Sequence, residues 1–117
     1  MKIAIIGSRT FNDFELLSNT VKSYCYKNEI LPKIIVSGGA KGADTLAERF
    51  ADENQLEMKI FYPNWEVLGK DACSARNTEI VEFADIVFAF WDGKSLGTND
   101  SISKTKKLGK EVIIIPF

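Results

Sequence analysis

The feature that most constrains the fold of this 117-residue chain is a series of five short apolar runs separated by segments with helical spacing. The runs cover residues 2–6, 33–36, 58–62, 85–91 and 111–115. They are nearly continuous in apolar character, which is typical of parallel strands that are covered on both faces. The pattern therefore predicts a Rossmann-like three-layer α/β/α fold with a mainly parallel five-stranded sheet.

Helices are predicted in the intervals between these runs. Asp13 is placed to cap a helix over residues 14–27, since its side chain can accept from a first-turn amide. The other predicted helices cover residues 43–54, 72–83 and 97–108, with a loop over residues 64–71. Because no linker or repeat interrupts the series, we expect a single domain over residues 1–117.

Composition narrows the range of functions. The formal net charge is −1 and the sequence pI is near 5.5, so the chain has no global basic field, and we expect nucleic acid to be an unlikely partner. Four lysines near the C-terminus could form a local basic patch, but they are interpreted as a solvated helix face. They are Lys104, Lys106, Lys107 and Lys110.

The cysteine and histidine counts exclude several kinds of site. The chain has no histidine, which removes imidazole-based catalytic triads and zinc sites that need imidazole. Cys25 and Cys73 have no metal-ligand spacing and are interpreted as reduced thiols. With no signal peptide and no apolar run of membrane-spanning length, we expect a cytoplasmic protein without a built-in metal or cofactor.

Glycine and polar residues follow three of the predicted strands. Ligands of parallel α/β sheets bind beyond the carboxyl ends of the strands, so these positions predict a phosphate- or nucleotide-sized site. The alternative is that each loop is a plain strand-to-helix turn. The candidate residues after strands one, two and four are Gly7, Ser8, Arg9, Ser37, Gly38, Gly39, Ala40, Gly42, Asp44, Trp91, Asp92, Ser95, Gly97 and Thr98.

Phosphate recognition is expected from the glycine loop and from the last helix. The amides of Gly38, Gly39 and Ala40 could form an anion nest, with Ser37 and Asp44 as side-chain partners. The helix that begins near residue 97 could receive a phosphate at its first amides, with Thr98 adding a hydroxyl.

Side chains could supply the remaining contacts. Arg9 and Arg76 could each pair with a phosphate, or else form surface salt bridges. Asp44 or Asp92 could accept from ribose hydroxyls, although Asp44 also suits the first turn of a helix. Trp91 could flank a base or belong to the core.

Six motifs follow one another over nearly the whole chain: Gly7-Ser8-Arg9-x-Phe11-x-Asp13, Ser37-Gly38-Gly39-Ala40-x-Gly42-Ala43-Asp44, Gly69-Lys70, Arg76-Asn77, Ala84-Asp85 and Phe90-Trp91-Asp92-Gly93-x-Ser95-x-Gly97-Thr98. In these motifs and their order the chain resembles the YspA-like branch of the SLOG superfamily. The superfamily also includes DprA DNA-processing proteins and LOG-type phosphoribohydrolases. The resemblance implies a Rossmann-like sheet that binds a nucleotide or nucleotide-derived ligand at its glycine loops, in small proteins of bacteria and phages.

The same resemblance leaves catalysis open. Arg76 matches the LOG-type arginine and Gly97-Thr98 matches part of the Pro-Gly-Gly-x-Gly-Thr-x-x-Glu signature, but Ser101 stands at the glutamate position. Asn77, next to Arg76, is expected to take part in ligand binding. If the chain hydrolyses nucleoside monophosphates, we expect Arg76 with Asp92 or Asp100 to be catalytic. The leading interpretation is a ligand binder or sensor, with dimerisation or higher assembly left open. The alternatives are this phosphoribohydrolase activity and DprA-like single-stranded DNA binding.

Overall fold

All five strands lie in one parallel sheet. A computed structural model describes residues 1–117, and its sheet has the order β3-β2-β1-β4-β5. This confirms the predicted Rossmann-like α/β/α fold. The strands are β1 Lys2–Gly7, β2 Ile34–Ser37, β3 Glu57–Ile60, β4 Ile86–Trp91 and β5 Glu111–Pro116.

The third strand is shorter than predicted at its carboxyl end. Its ladder with β2 ends where Ser37 pairs with Ile60, and one further bond joins the Phe61 amide to the Ser37 carbonyl at 3.0 Å. Because β2 itself ends at Ser37, β3 has no partner backbone to pair with beyond that point.

The long helices match the predicted segments to within one or two residues. The helices are α1 Phe14–Lys27, α2 Ala43–Glu53, α3 Trp65–Leu68, α4 Ala72–Phe83 and α5 Leu96–Lys107, with a 3-10 turn at Gly69–Asp71 between α3 and α4. Asp13 caps α1, as predicted, by accepting from the Leu16 amide at 3.0 Å. No helix is both long enough and apolar enough to cross a membrane.

The prediction of a continuous loop over residues 64–71 is wrong. The short helix α3 and the 3-10 turn occupy most of this segment. The side chain of Asn64 starts α3 by accepting from the Val67 amide at 3.3 Å. A helix of four residues lacks the repeated apolar spacing that reveals longer helices in a sequence.

Two apolar clusters cover the two faces of the sheet. Phe88 and Phe90 point to one face, where they belong to the cluster that includes Leu17 of α1 and Phe50 of α2. The alternating strand residues point to the other face, where the second cluster includes Ile80 of α4 and Ile102 of α5. The sheet is therefore sandwiched between α1 and α2 on one side and α4 and α5 on the other.

The strand order reverses between β1 and β4. From β1 the chain builds outward through β2 to β3, whereas β4 and β5 build outward on the opposite side of β1. The loops that leave β1 and β4 therefore diverge at the carboxyl edge of the sheet. This divergence opens a crevice at the point where doubly wound sheets bind their ligands.

Candidate functional site

A cleft of about 370 Å³ lies at this switch point. Its walls come from the loop after β1, the glycine loop after β2, the first turns of α4, the loop after β4 and the start of α5. Fifteen residues line it: Ile6, Gly7, Ser8, Arg9, Thr10, Ala40, Asp44, Cys73, Arg76, Asn77, Asp92, Ser95, Gly97, Thr98 and Ser101.

Most of the residues predicted for the site lie in this lining, so the three loops do converge. The predicted residues in the lining are Gly7, Ser8, Arg9, Ala40, Asp44, Arg76, Asn77, Asp92, Ser95, Gly97 and Thr98. The predicted residues outside the lining are Ser37, Gly38, Gly39, Gly42, Trp91 and Asp100.

Gly42 lets the glycine loop pack against the loop after β1. Its φ is +78°, and a Cβ built there would lie 2.6 Å from the backbone carbonyl carbon of Arg9. The next amide, that of Ala43, donates to the Ser8 carbonyl at 3.3 Å. Gly42 therefore acts by bringing two cleft walls together, since only glycine fits this close approach.

The expected anion nest of the glycine loop is occupied by the chain's own carboxylate. The Ala40 amide donates to Oδ2 of Asp44 at 3.2 Å. The hydroxyl of Ser37 is fully buried and donates to the Ile5 carbonyl at 2.7 Å, which ties β2 to β1. An incoming phosphate would meet the Asp44 carboxylate at this loop.

Asp44 is a nearly buried carboxyl group, with only 6% of the residue exposed. Its burial raises its pKa above the ordinary value for aspartate. The Ala40 amide and the positive charge of Arg76 act in the opposite direction by favouring the charged form. The group therefore takes up a proton more readily than an exposed aspartate.

Both arginines of the cleft keep hydrogen-bond donors that no group in the chain satisfies. Arg76 donates from Nη1 to the Gly38 carbonyl at 2.6 Å and from Nε to Oδ1 of Asn77 at 3.0 Å, while its Nη2 has no partner. Arg9 is exposed and makes neither a hydrogen bond nor a salt bridge. The surface salt bridges considered as an alternative for these arginines do not form.

Asp92 shapes the loop after β4. Its Oδ1 accepts from the amides of Lys94 and Ser95 at 2.8 and 2.9 Å, and these two bonds hold its pKa below the ordinary value. Its own amide donates to the Ser8 hydroxyl at 3.2 Å, which joins the loops after β4 and β1. The carboxylate is therefore ionised at neutral pH and suits accepting hydrogen bonds better than donating a proton.

Trp91 and Asp100 lie outside the lining and are held there by hydrogen bonds within the chain. The indole Nε1 of Trp91 donates to the Ser95 carbonyl at 3.1 Å, and the ring packs against the apolar cluster on the α4 and α5 face. Oδ2 of Asp100 accepts from Nζ of Lys104 at 2.9 Å and from Nδ2 of Asn77 at 3.2 Å. Asn77 also donates to the Gly97 carbonyl at 3.3 Å, so this network joins α4 to α5.

Four lining residues were not among the predicted site residues: Ile6, Thr10, Cys73 and Ser101. Two of them could have been predicted from helical spacing, because residues three positions apart share a helix face with a residue that was already predicted for the site. Cys73 precedes Arg76 by three positions on α4, and Ser101 follows Thr98 by three on α5. No group of three or more cysteine, aspartate or glutamate side chains that could hold a metal ion occurs in the chain.

Comparison with solved structures shows where else this fold occurs. DNA processing protein A from Helicobacter pylori matches with a TM-score of 0.73 and 23% identity, over 100% of this chain and 66% of that chain. DNA processing protein A from Streptococcus pneumoniae matches with a TM-score of 0.78 and 22% identity, over 99% of this chain and 50% of that chain. The protein TM1055 matches with a TM-score of 0.66 and 18% identity, over 95% of this chain and 71% of that chain. The chain thus spans about two thirds and one half of the two DNA-processing chains.

The expectation that nucleic acid is an unlikely partner is wrong. The Helicobacter pylori structure is described for its single-stranded DNA binding mode, so a protein with this fold does bind nucleic acid. The expectation relied on net charge and pI, which average over the whole surface. Binding of a strand depends on the charges and donors along its contact surface, and a nearly neutral total does not describe those.

Sequence comparison supplies the family. Residues 1–67 match the family described as YspA, cpYpsA-related SLOG. The Gene 61 protein of Mycobacterium phage D29 is 30% identical over 118 residues, which cover 96% of this chain and 94% of the phage protein. On these sequence matches, the chain belongs to the YspA, cpYpsA-related SLOG family.

Proposed function

We propose that the chain binds a nucleotide or a nucleotide-derived ribose-phosphate ligand in the cleft at the switch point. The observation that carries the proposal is the presence of free guanidinium donors on Arg9 and Arg76 in one cleft. Guanidinium groups pair well with phosphate oxygens. The cleft volume of about 370 Å³ also lies within the range of roughly 300–1,000 Å³ that small-molecule pockets occupy.

The start of α5 adds donors for an anion. The hydroxyl of Ser95 caps the helix by accepting from the Thr98 amide at 3.4 Å. The amide of Gly97, which lines the cleft, has no acceptor in the chain. An unpaired amide at a helix N-terminus favours a bound anion through both its hydrogen bond and the helix dipole.

Acceptors for a sugar lie in the same cleft. Asp92 is ionised and uses one carboxylate oxygen within its own loop, which leaves the other for a ligand hydroxyl. Asp44 presents a second, nearly buried carboxyl group. Arginines and helix amides for phosphate, together with carboxylates for hydroxyls, match the chemistry of a ribose phosphate.

Isothermal titration calorimetry tests this proposal. The panel is AMP, GMP, CMP, UMP, ADP-ribose and ribose 5-phosphate, with Arg9→Ala compared against Arg49→Ala. Arg49 is the matched control, because it lies on α2 outside the cleft and already pairs with Glu53. We expect wild-type binding of at least one ligand, a loss of about tenfold to a hundredfold in Arg9→Ala, and no change in Arg49→Ala.

Two outcomes contradict the proposal. One is the absence of binding by the wild type to every ligand, and the other is an equal loss of affinity in both arginine variants. An oligothymidylate is titrated in parallel, because the fold also occurs in a protein that binds single-stranded DNA. If the strand binds while no ligand of the panel does, the first outcome holds and the cleft is not a small-molecule site. Chromatography of the same samples detects free base and so reports any turnover.

A further inference from the structure

Ser101 is a buried cleft residue whose hydroxyl has no hydrogen-bond partner in the chain. The residue is 2% exposed and lines the cleft from the second turn of α5. The other buried polar side chains of the lining are all engaged. They are Ser8, Asp44, Asn77 and Thr98. No side-chain oxygen of the chain is fully buried without a partner, so the Ser101 hydroxyl is reached from the cleft and is free to pair with a ligand there.

The surroundings of this hydroxyl suit an anion. On α5 it is accompanied by the free amide of Gly97, and α4 contributes the unpaired Nη2 of Arg76 to the same cleft. The carboxylate of Asp100 does not compete, because it lies outside the lining and is held by Lys104 and Asn77. The polar groups of α4 and α5 that face the cleft without a partner can therefore all donate hydrogen bonds.

The opposite wall suits a phosphate less well. The Ala40 amide of the glycine loop already donates to Asp44. A phosphate placed there would face a carboxylate and find that donor occupied. The chemistry of the cleft therefore directs a phosphate toward α5 and away from the glycine loop.

The lining has no aromatic side chain that could stack on a base. Trp91 is engaged with Ser95 and packs in the core. Tyr62 lies against Gly39 beyond the lining and is 69% exposed. Stacking supplies much of the energy of base recognition in proteins, so this cleft offers a base little beyond shape.

We infer that the Ser101 hydroxyl contacts the phosphate of the ligand, and that the cleft selects the sugar phosphate with little preference for the base. This inference rests on the proposed function, since it states that the same cleft recognises the sugar phosphate of a nucleotide. It makes Ser101 a binding residue at the position where the resemblance led us to expect a glutamate.

The test compares ligands and variants by isothermal titration calorimetry. We expect ribose 5-phosphate, AMP, GMP and CMP to bind the wild type with dissociation constants within about threefold of one another, and adenosine at least a hundredfold more weakly. Ser101→Ala should weaken every phosphorylated ligand about tenfold, which corresponds to about 1.4 kcal/mol. Ser18→Ala is the matched control, because Ser18 is a buried serine on α1 whose hydroxyl also lacks a partner.

The outcomes separate this inference from the proposed function. If the wild type binds no phosphorylated ligand, the proposed function fails and the inference fails with it. If AMP binds but adenosine binds equally well, or if base identity changes affinity more than tenfold, the inference alone is overturned. Unchanged affinity in Ser101→Ala overturns it as well. The ligand comparison on the wild type needs no variant, so a folding defect in Ser101→Ala would not rescue the inference.

Discussion

At the scale of single residues, the buried carboxyl group of Asp44 destabilises the fold at neutral pH but offers the cleft a hydrogen-bond acceptor. Its burial raises its pKa, so the folded chain holds the proton more tightly than the unfolded chain does. The resulting stability is fully present below the unfolded pKa and is lost as pH rises through the folded pKa. At neutral pH the fold therefore carries the cost of a buried charge.

Asp44→Asn should remove this cost and still accept from the Ala40 amide. We expect its melting temperature to exceed that of the wild type by a few degrees at pH 7–8, and the difference to shrink toward pH 3. Ligand affinity should fall, because a charged acceptor has been lost. Differential scanning calorimetry across this pH range measures the effect.

Asp92→Asn is the control with the opposite sign. The pKa of Asp92 is lowered by its two loop amides, so its contribution to stability is present above the unfolded pKa and is lost as pH falls through the folded pKa. The variant should be slightly less stable than the wild type at neutral pH and approach it in acid. The same pH trend in both variants would contradict the assigned causes.

The sequence was a better guide to which residues lie near the cleft than to the direction in which their side chains point. The loop glycines and Arg9 follow from the rule that ligands bind at strand carboxyl ends. The partners of Trp91 and Asp100 could not be predicted, because each is fixed by another element or loop that packs beside it. The same holds for Ser101, whose lack of a partner is a property of the packed helices.

At the scale of elements, the site depends on how closely the glycine loop approaches the loop after β1. The contact passes through Gly42, where a side chain would run into the backbone of Ser8 and Arg9. Gly93 provides a natural comparison, since its φ of +80° resembles the +78° of Gly42 and it has open space around it. An alanine at Gly93 would meet a positive φ without a close contact, whereas an alanine at Gly42 would also meet the backbone of the loop after β1 and a ψ of −126°.

We expect Gly42→Ala to lower the free energy of unfolding by about 3 kcal/mol, through backbone strain at φ +78° and ψ −126° together with overpacking against the loop after β1. Gly93→Ala should cost about 1 kcal/mol through strain alone. Urea denaturation of both variants measures this difference. Equal destabilisation would show that the contact between the two loops contributes nothing.

The helices were predicted best where local signals were complete. Residues 14–27 combine an aspartate cap with apolar residues at helical spacing, and α1 has these bounds. The segment over residues 64–71 has a cap at Asn64 but only one turn of helix after it, and there the prediction failed. Periodicity needs several turns before it can separate a helix from a loop.

At the scale of the whole molecule, the topology brings together loops that are far apart in sequence. The Ser8 hydroxyl meets the Asp92 amide across 84 positions because β1 and β4 are neighbours in the sheet. The alternation of strands and helices was sufficient to predict this architecture. Overall charge was a poor guide to partners, because it does not describe the local cluster of donors in the cleft.

The most direct test of the central claim is a titration of ¹⁵N-labelled protein with AMP, followed through its amide resonances. A site at the switch point predicts saturable shifts at residues 7–10, Ala40 and residues 97–101, with little change in the apolar groove around Val21 and Leu31. The absence of shifts at any ligand concentration would contradict the claim, and so would shifts confined to that groove.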